Sequence, residues 1–228
     1  MPHDEELFRW IDLANIACGG HAGGMDEMRR AVDFAATYGV AVGAHPSYPD
    51  RENFGRKSVI MEPDDIQNVV TEQVAALSVV CQEAGQAVTY VKPHGALYHD
   101  MMAQLDVFEA ILRAVSSMPH VVPVMVLAGA GNRQVCELAK RYSLPLLFEA
   151  FADRVYTNDG KLAGRSLEGS VLTSIPNILD QVMQIVNGGQ VTTLGGDILE
   201  LKADTICVHG DNEASIAAVR EIYHMLKS

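Results

Sequence analysis

The chain has 228 residues, of which 48% are hydrophobic and 20% are charged, and its formal net charge at pH 7 is −12. This length and apolar content predict one globular domain spanning residues 1–228, and the negative charge argues against binding to nucleic acid or to an anionic membrane surface. No apolar run approaches the roughly 18 residues of a membrane span, and the opening MPHDEELFRW lacks the pattern of a secretory signal. Four scattered cysteines without a CxxC pair indicate a reducing compartment, so we expect a cytoplasmic protein with no membrane contact.

Short β-rich runs alternate with helical segments along the whole chain. After an opening apolar run that ends at Gly19, strands are predicted at 40–45, 87–94, 121–129, 145–153 and 204–211. Helices are predicted at 25–39, 63–85, 103–118, 131–143, 174–189 and 212–228. Two short runs around Gly195-Gly196, within 188–205, predict a hairpin. This alternation predicts an α/β fold with parallel strands covered by helices, either as a barrel or as an open doubly wound sheet.

Four strand candidates, counting the opening apolar run, finish with a histidine at the carboxyl end. These histidines are His21, His45, His94 and His209. Because the carboxyl ends of parallel strands meet on one face of an α/β fold, and that face carries the site, we expect the four side chains to mark the functional site. The alternative for any one of them is a structural hydrogen bond to a loop carbonyl.

Further polar residues are predicted on the same face. Lys92 precedes His94 by two residues and points to the same side of its strand, where a lysine is costly unless it is paired or functional. Glu149 and Asp153 lie along the run FEAFAD, and Arg56 ends the loop HPSYPDRENFGR. Cations near histidines and carboxylates suit an anionic or phosphorylated substrate, although a loop arginine is also compatible with a surface salt bridge. No P-loop, GxSxG or HExxH motif is present.

Five blocks of the sequence carry a resemblance to a known family. They read ANIACGGHAG, GVAVGAHPSYPDRENFGR, VKPHGALYHD, FEAFADRVYTNDGKLAGRS and ADTICVHGDN. They closely resemble the signature blocks of the LamB/YcsF family, the A subunit of prokaryotic ATP-dependent 5-oxoprolinase, and the resemblance covers essentially the whole chain. It implies an irregular (β/α) barrel of the glycoside hydrolase/deacetylase type. Family members usually begin with a strand similar to Asp-Leu-Asn-Ala-Asp-Leu-Gly-Glu, and this chain is expected to lack that first strand.

The resemblance also implies an activity. The family cleaves 5-oxo-L-proline to L-glutamate with hydrolysis of ATP as co-substrate, together with subunits B and C. Under this hypothesis the catalytic residues are His45, His94, Lys92 and Asp153. The expected substrate-binding residues are His21, Asn15, Arg56, Glu149, His209 and Asp211.

Two other classes of function fit the same residues. A metal-dependent amidohydrolase would resemble the deacetylases, which hold a divalent ion with one aspartate and two histidines. His21, His45 and His94 are the candidate ligands here. A non-catalytic, substrate-binding subunit is the other alternative, because no recognisable ATP motif is present and the partner subunits could handle the nucleotide.

Overall fold

The computed structural model describes residues 4–129, 132–210 and 213–227, and its elements alternate as the sequence predicts. The strands are β1 (Leu13–Ala17), β2 (Ala41–His45), β3 (Val88–Val91), β4 (Val124–Leu127), β5 (Leu146–Phe151), β6 (Gln190–Thr192), β7 (Ile198–Glu200) and β8 (Thr205–Cys207). The helices are α1 (Asp4–Leu7), α2 (Met25–Tyr38), α3 (Pro63–Glu83), α4 (Gly95–Ala103), α5 (Leu105–Ser116), α6 (Arg133–Arg141), α7 (Ile175–Met183) and α8 (Glu213–Lys227). A 3₁₀ turn follows α1, and a π turn follows α7. The predicted α/β fold is confirmed.

The chain divides into two compact units. The first unit comprises Met1–Val126 and Gln134–Leu146, and the second comprises Leu127–Arg133 and Leu147–Ser228. The single domain expected from the sequence stays a prediction. Among the described residues, no helix combines the length and the apolar character needed to cross a membrane.

The first unit is built on parallel strands in the order β1-β2-β3-β4. Strand β2 carries Gly43 opposite Tyr90 of β3. A Cβ built on Gly43 would lie 2.0 Å from Cζ of Tyr90, so the absence of a side chain at Gly43 lets the Tyr90 ring cross β2. The Tyr90 hydroxyl then donates a hydrogen bond to Oδ1 of Asn15, 2.9 Å away. The hydrogen bond therefore joins β3 to β1 across β2, at the point where β2 carries a glycine.

Helix ends in the first unit follow local sequence signals, with one exception. Helix α2 ends at Gly39, which takes the left-handed conformation (φ 68°) and donates to the Ala35 carbonyl, and α3 begins at Pro63. The exception is α4, which the sequence did not predict because Gly95 reads as a helix breaker. Gly95 has φ 57°, and a Cβ there would lie 2.3 Å from the carbonyl oxygen of Gly55. Glycine therefore allows a close approach between two loops, and the helix starts from that contact.

The second unit contains the parallel pair β5-β8 and the antiparallel pair β6-β7. The predicted hairpin around Gly195-Gly196 is confirmed by β6 and β7. Helices α7 and α8 cover a core whose buried members are Ala152, Ile178, Val182, Ala218 and Ile222. Gln181 of α7 donates through Nε2 to the main-chain carbonyls of Phe151, Ala152 and Arg154, at 2.7, 3.2 and 2.8 Å. Helix α7 thus holds the chain that leaves the carboxyl end of β5.

Candidate functional site

The first unit brings together three of the four histidines that follow strands. His45 is the last residue of β2, His94 lies between β3 and α4, and His21 follows β1. The rings of His21 and His94 stack at 3.7 Å with an interplanar angle of 11°. The ring of His45 stands edge-on to that of His94 at 4.8 Å, and 5.7 Å from that of His21. We call His21, His45 and His94 the histidine cluster.

Two rings of the cluster form a hydrogen-bonded chain between two carbonyl groups. Nδ1 of His45 lies 2.6 Å from the carbonyl oxygen of Lys92. Nε2 of His45 lies 3.0 Å from Nδ1 of His94. Nε2 of His94 lies 2.8 Å from the carbonyl oxygen of Phe54. Since a carbonyl oxygen only accepts, His45 donates through Nδ1 and His94 donates through Nε2.

Burial and neighbouring cations keep two of the rings neutral. Desolvation, followed by the charges of His94, Arg51 and Arg56, lowers the pKa of His21 to about 3. Desolvation, followed by His94 and Lys92, also lowers the pKa of His45 well below its ordinary value. At neutral pH both rings are therefore neutral imidazoles.

A strained loop lies against the cluster. Phe54 has φ 55°, a conformation that bulky residues rarely adopt, and it is held there while its carbonyl accepts from His94. The Phe54 ring contacts His21 and His94 edge-on at 5.1 and 5.3 Å. The guanidinium of Arg56 lies 5.2 Å from the centroid of the Phe54 ring. The predicted substrate contact Arg56 is thus exposed on the loop that touches the cluster.

A cavity of about 440 Å³ adjoins His21 in the same unit. Its wall includes His21, Arg51, Glu27 and the main chain at Gly23 and Gly24. Arg51 donates through its guanidinium to the carbonyl oxygens of Gly19 and Gly23, which fixes the turn after β1. His21 is 5% exposed, and its buried Nδ1 has no hydrogen-bond partner. The cavity wall therefore carries one cation, Arg51, and one carboxylate, Glu27.

Within the described part of the chain, the rings of the histidine cluster are not arranged around one common ion position. Among the described residues, no group of three or more His, Cys, Asp or Glu side chains is placed to hold a metal ion. The stacking of His21 on His94 gives the physical reason. Lone pairs of imidazole lie in the ring plane, so two parallel rings do not point theirs at one ion about 2 Å away. The described residues do not fit a three-histidine site.

The second unit contains a separate pair of acid and base. Nδ1 of His209 donates to Oδ1 of Asp153 at 2.9 Å, and the hydroxyl of Ser215 donates to Oδ2 at 3.0 Å. Burial raises the pKa of Asp153, but the hydrogen bonds and charge of His209 and the bond from Ser215 outweigh it, so the pKa is lowered. Asp153 is therefore ionised and holds His209 in one orientation, with the ring stacked on Phe151 at 5.5 Å.

The remaining predicted residues are placed as follows. Lys92 is 5% exposed, and its ammonium group lies 5.8 Å from the centroid of the Tyr98 ring. Asn15 accepts the hydrogen bond of Tyr90, which is a structural contact. Glu149 is fully buried in β5 of the second unit. Asp211 lies outside the described residues.

Sequence reasoning missed two contributors to these arrangements. Phe54 gave no signal, because an aromatic residue in a polar loop does not reveal a positive φ or a carbonyl aimed at a histidine. Ser215 lies in α8, where a serine reads as an ordinary helical residue. The hydrogen bond to Asp153 joins positions that are far apart in sequence, so only the fold identifies it.

A family model, similar sequences and a similar solved structure all relate the chain to one protein family. A model of the LamB/YcsF family matches residues 1–228. A Vibrio cholerae protein, named as the A subunit of 5-oxoprolinase, is 46% identical over 222 residues, which is 97% of this chain and 89% of the relative. A Pseudomonas putida protein, named as a second 5-oxoprolinase A subunit, is 44% identical over 226 residues, 99% of this chain and 88% of the relative. The crystal structure of a lactam utilization protein from Thermus thermophilus is 36% identical, with a TM-score of 0.89, covering 99% of this chain and 90% of that chain.

Proposed function

The chain belongs to the LamB/YcsF family, and on this basis we propose that it is the A subunit of an ATP-dependent 5-oxoprolinase. The names of its relatives support a role in the metabolism of 5-oxoproline, a cyclic amide. The observation that carries the proposal is the histidine cluster, where two neutral imidazoles and His94 lie beside Lys92 and two loop arginines. Such a site can bind an anionic substrate and move protons next to it.

The proposed reaction opens a stable five-membered lactam. Transfer of a phosphoryl group from ATP to the lactam oxygen makes the adjacent carbon a better electrophile. Water then attacks that carbon, and the bond to the ring nitrogen breaks as the nitrogen takes up a proton, which leaves an acyl phosphate. A second water molecule then hydrolyses the acyl phosphate to the carboxylate of glutamate and free phosphate. The site must supply cations for the anionic oxygens and a donor for the leaving nitrogen.

We assign these tasks within the first unit as follows. Lys92 and Arg56 balance the charge of the substrate carboxylate or of the phosphoryl oxygens. His94 delivers the proton to the ring nitrogen through Nε2, which presently donates to the Phe54 carbonyl. His45 accepts from Nδ1 of His94 and thereby stabilises the charged form of that ring. His21 lines the cavity that is proposed to hold the ligand.

We assign a base to the second unit. Asp153 fixes the Nδ1 tautomer of His209, so the lone pair of the ring lies on Nε2, as in acid–base pairs of hydrolases. Within the second unit, His209 is proposed as a base that Asp153 holds in one tautomer. His209, expected from the sequence to bind substrate, is thus proposed as a base. Asp153, expected to be catalytic, is proposed as the residue that positions His209. Handling of ATP and association with subunits B and C complete the proposal.

The test is an assay of glutamate formation from 5-oxoproline and ATP, with and without the two partner subunits. Replacing His94 by Ala should lower turnover by at least roughly 10²-fold in the full complex. The matched control is His120→Ala, because His120 is exposed and its ring lies 3.1 Å from the Val88 carbonyl oxygen, away from the histidine cluster. Near-normal turnover of His94→Ala would remove His94 from the mechanism. No glutamate in any combination would refute the oxoprolinase assignment.

A further inference from the structure

Phe54 combines a strained backbone with an exposed aromatic side chain. Its φ is 55°, a value that bulky residues rarely adopt, and the residue is 44% exposed. Among the described residues, the other one that is not glycine and has a positive φ is Ser143, at 54°. Ser143 lies two residues after the end of α6, where a left-handed residue commonly terminates a helix. Phe54 has no such local explanation.

The backbone at position 54 does not require an aromatic residue. The Phe54 carbonyl oxygen lies 2.8 Å from Nε2 of His94, and any residue at this position would supply that oxygen. Glycine or asparagine takes a positive φ at a lower conformational cost than phenylalanine. The next residue is indeed Gly55, with φ 64°, and a Cβ there would lie 2.9 Å from Cβ of His21. Backbone and space explain the residue at 55, whereas the residue at 54 is explained only by its side chain.

The Phe54 ring lies beside the groups that the proposed reaction uses. Its centroid is 5.1 Å from that of the His21 ring and 5.3 Å from that of the His94 ring. The guanidinium of Arg56 lies 5.2 Å from the same centroid. A partly exposed apolar surface and a cation are therefore adjacent at the edge of the histidine cluster. A small ligand that contacts both His94 and Arg56 lies next to this ring.

The substrate of the proposed reaction carries a matching set of groups. 5-oxoproline is a five-membered ring with two adjacent methylene groups, and its carboxylate is on the carbon next to the nitrogen. The methylene groups gain free energy from contact with an apolar surface, and the carboxylate gains from a nearby cation. Strained residues cluster at ligand contacts, where the surrounding structure holds them in place. The strain at Phe54 and the exposure of its ring thus have one common explanation.

We propose that Phe54 is a substrate-contact residue whose exposed ring packs against the methylene groups of the lactam, beside the cation that pairs with the carboxylate. The inference rests on the proposed function for the identity of the ligand. The ring contributes affinity and orientation, and no proton moves through it. Loss of a contact of about 50 Å² should raise the KM and the Kd for 5-oxoproline roughly 5- to 10-fold and leave kcat within about twofold.

Three variants separate the ring from the backbone at position 54. Phe54→Ala and Phe54→Gly both remove the ring, but only glycine also relieves the positive φ. Phe54→Gly should therefore have a Tm roughly 2–4 °C above that of Phe54→Ala, while both weaken the binding of 5-oxoproline to the same extent. Phe54→Tyr keeps the ring and should bind within about twofold of the natural protein. The matched control is Ser143→Gly, which should raise the Tm and leave binding unchanged.

Calorimetric titration of the purified chain with 5-oxoproline measures the Kd, and steady-state assays of the full complex measure kcat and KM. A second ligand, 2-pyrrolidinone, lacks the carboxylate and is tested as a competitor of 5-oxoproline. Phe54→Ala should weaken both ligands by the same factor, whereas Arg56→Gln should weaken only 5-oxoproline. The comparison distinguishes a direct ring contact from an effect through Arg56, because the Arg56 guanidinium lies against the ring.

Unchanged Kd and KM in Phe54→Ala and Phe54→Gly would overturn the inference and leave the proposed function standing. Affinities that follow the Tm of the variants, and not the presence of the ring, would also overturn it, because they indicate a structural role. Weaker binding of 5-oxoproline with unchanged 2-pyrrolidinone would assign the effect to Arg56 and exclude the direct contact. Ring-dependent binding by a chain whose full complex forms no glutamate would support the contact and refute the oxoprolinase. Absence of both binding and turnover would refute both.

Discussion

Replacing His21 by Phe tests the electrostatics of the histidine cluster through protein stability. Phenylalanine keeps a ring against His94 and Phe54 but cannot take up a proton. In the natural protein the pKa of His21 is lowered from 6.5 to about 3. Below pH 6.5 the unfolded chain therefore binds a proton at this position that the folded chain does not bind. As the pH falls from 6.5 to about 3, this group alone lowers the free energy of unfolding by about 1.4 kcal/mol for each pH unit.

Between pH 6 and pH 4 this contribution amounts to about 2.5 kcal/mol. The variant should therefore lose about 2.5 kcal/mol less stability than the natural protein over this range. Urea unfolding followed by the fluorescence of Trp10, the single tryptophan, measures the difference. Comparing slopes with pH cancels any change of packing that is the same at all pH values. The control is His120→Phe. An unchanged slope in the His21 variant would refute the claim that burial and neighbouring cations keep this ring neutral.

Replacing Gln181 by Met should lower the free energy of unfolding by about 2–4 kcal/mol, because the main-chain carbonyls after β5 lose their donor; urea titration measures this. Replacing Gly43 by Ala should destabilise the protein by at least about 2 kcal/mol and lower its Tm, because the new Cβ would lie 2.0 Å from a ring atom of Tyr90. Replacing Asp153 by Asn should lower turnover roughly 10²-fold, with KM little changed, because His209 loses the carboxylate that sets its tautomer; steady-state assays of the complex measure both constants.

Matched changes separate these effects from general damage. Gln82→Met, at an exposed position of α3, should cost less than about 0.5 kcal/mol. Adding Tyr90→Leu to Gly43→Ala should recover part of the lost stability, because the crowded ring is gone. Asp197→Asn, in the exposed hairpin turn, should leave turnover unchanged. Unchanged stability of Gln181→Met or of Gly43→Ala would contradict the contact proposed for that residue. Unchanged turnover of Asp153→Asn would contradict the role of Asp153 in orienting His209.

The alternation of strands and helices was predictable because it rests on local patterns. Apolar runs define β2 to β5, and glycines such as Gly39 mark helix ends through their backbone freedom. Helix α4 was not predictable from the same rules. Its first residue, Gly95, is required by a tertiary contact with Gly55, which no local pattern contains.

The candidate site was predictable in its residue types and not in its pairings. The rule that functional residues follow parallel strands brought His21, His45 and His94 together correctly. The rule could not show that two rings hydrogen-bond to each other, since this depends on loop carbonyls. It also could not show that Asp153 pairs with His209.

The contact between Gly43 and Tyr90 has a consequence for how this sequence can change over generations. The Tyr90 ring fills the space that a side chain at position 43 would need, so the residues at these two positions must change together, although they lie 47 residues apart in the chain. A side chain gained at 43 is tolerated only after the ring at 90 has shrunk, and a smaller residue at 90 first leaves a void and an unused amide oxygen at Asn15. Neither first step is neutral. Replacing both residues by single substitutions therefore passes through a less stable protein with only one of them changed. This limits how the core of the first unit can evolve.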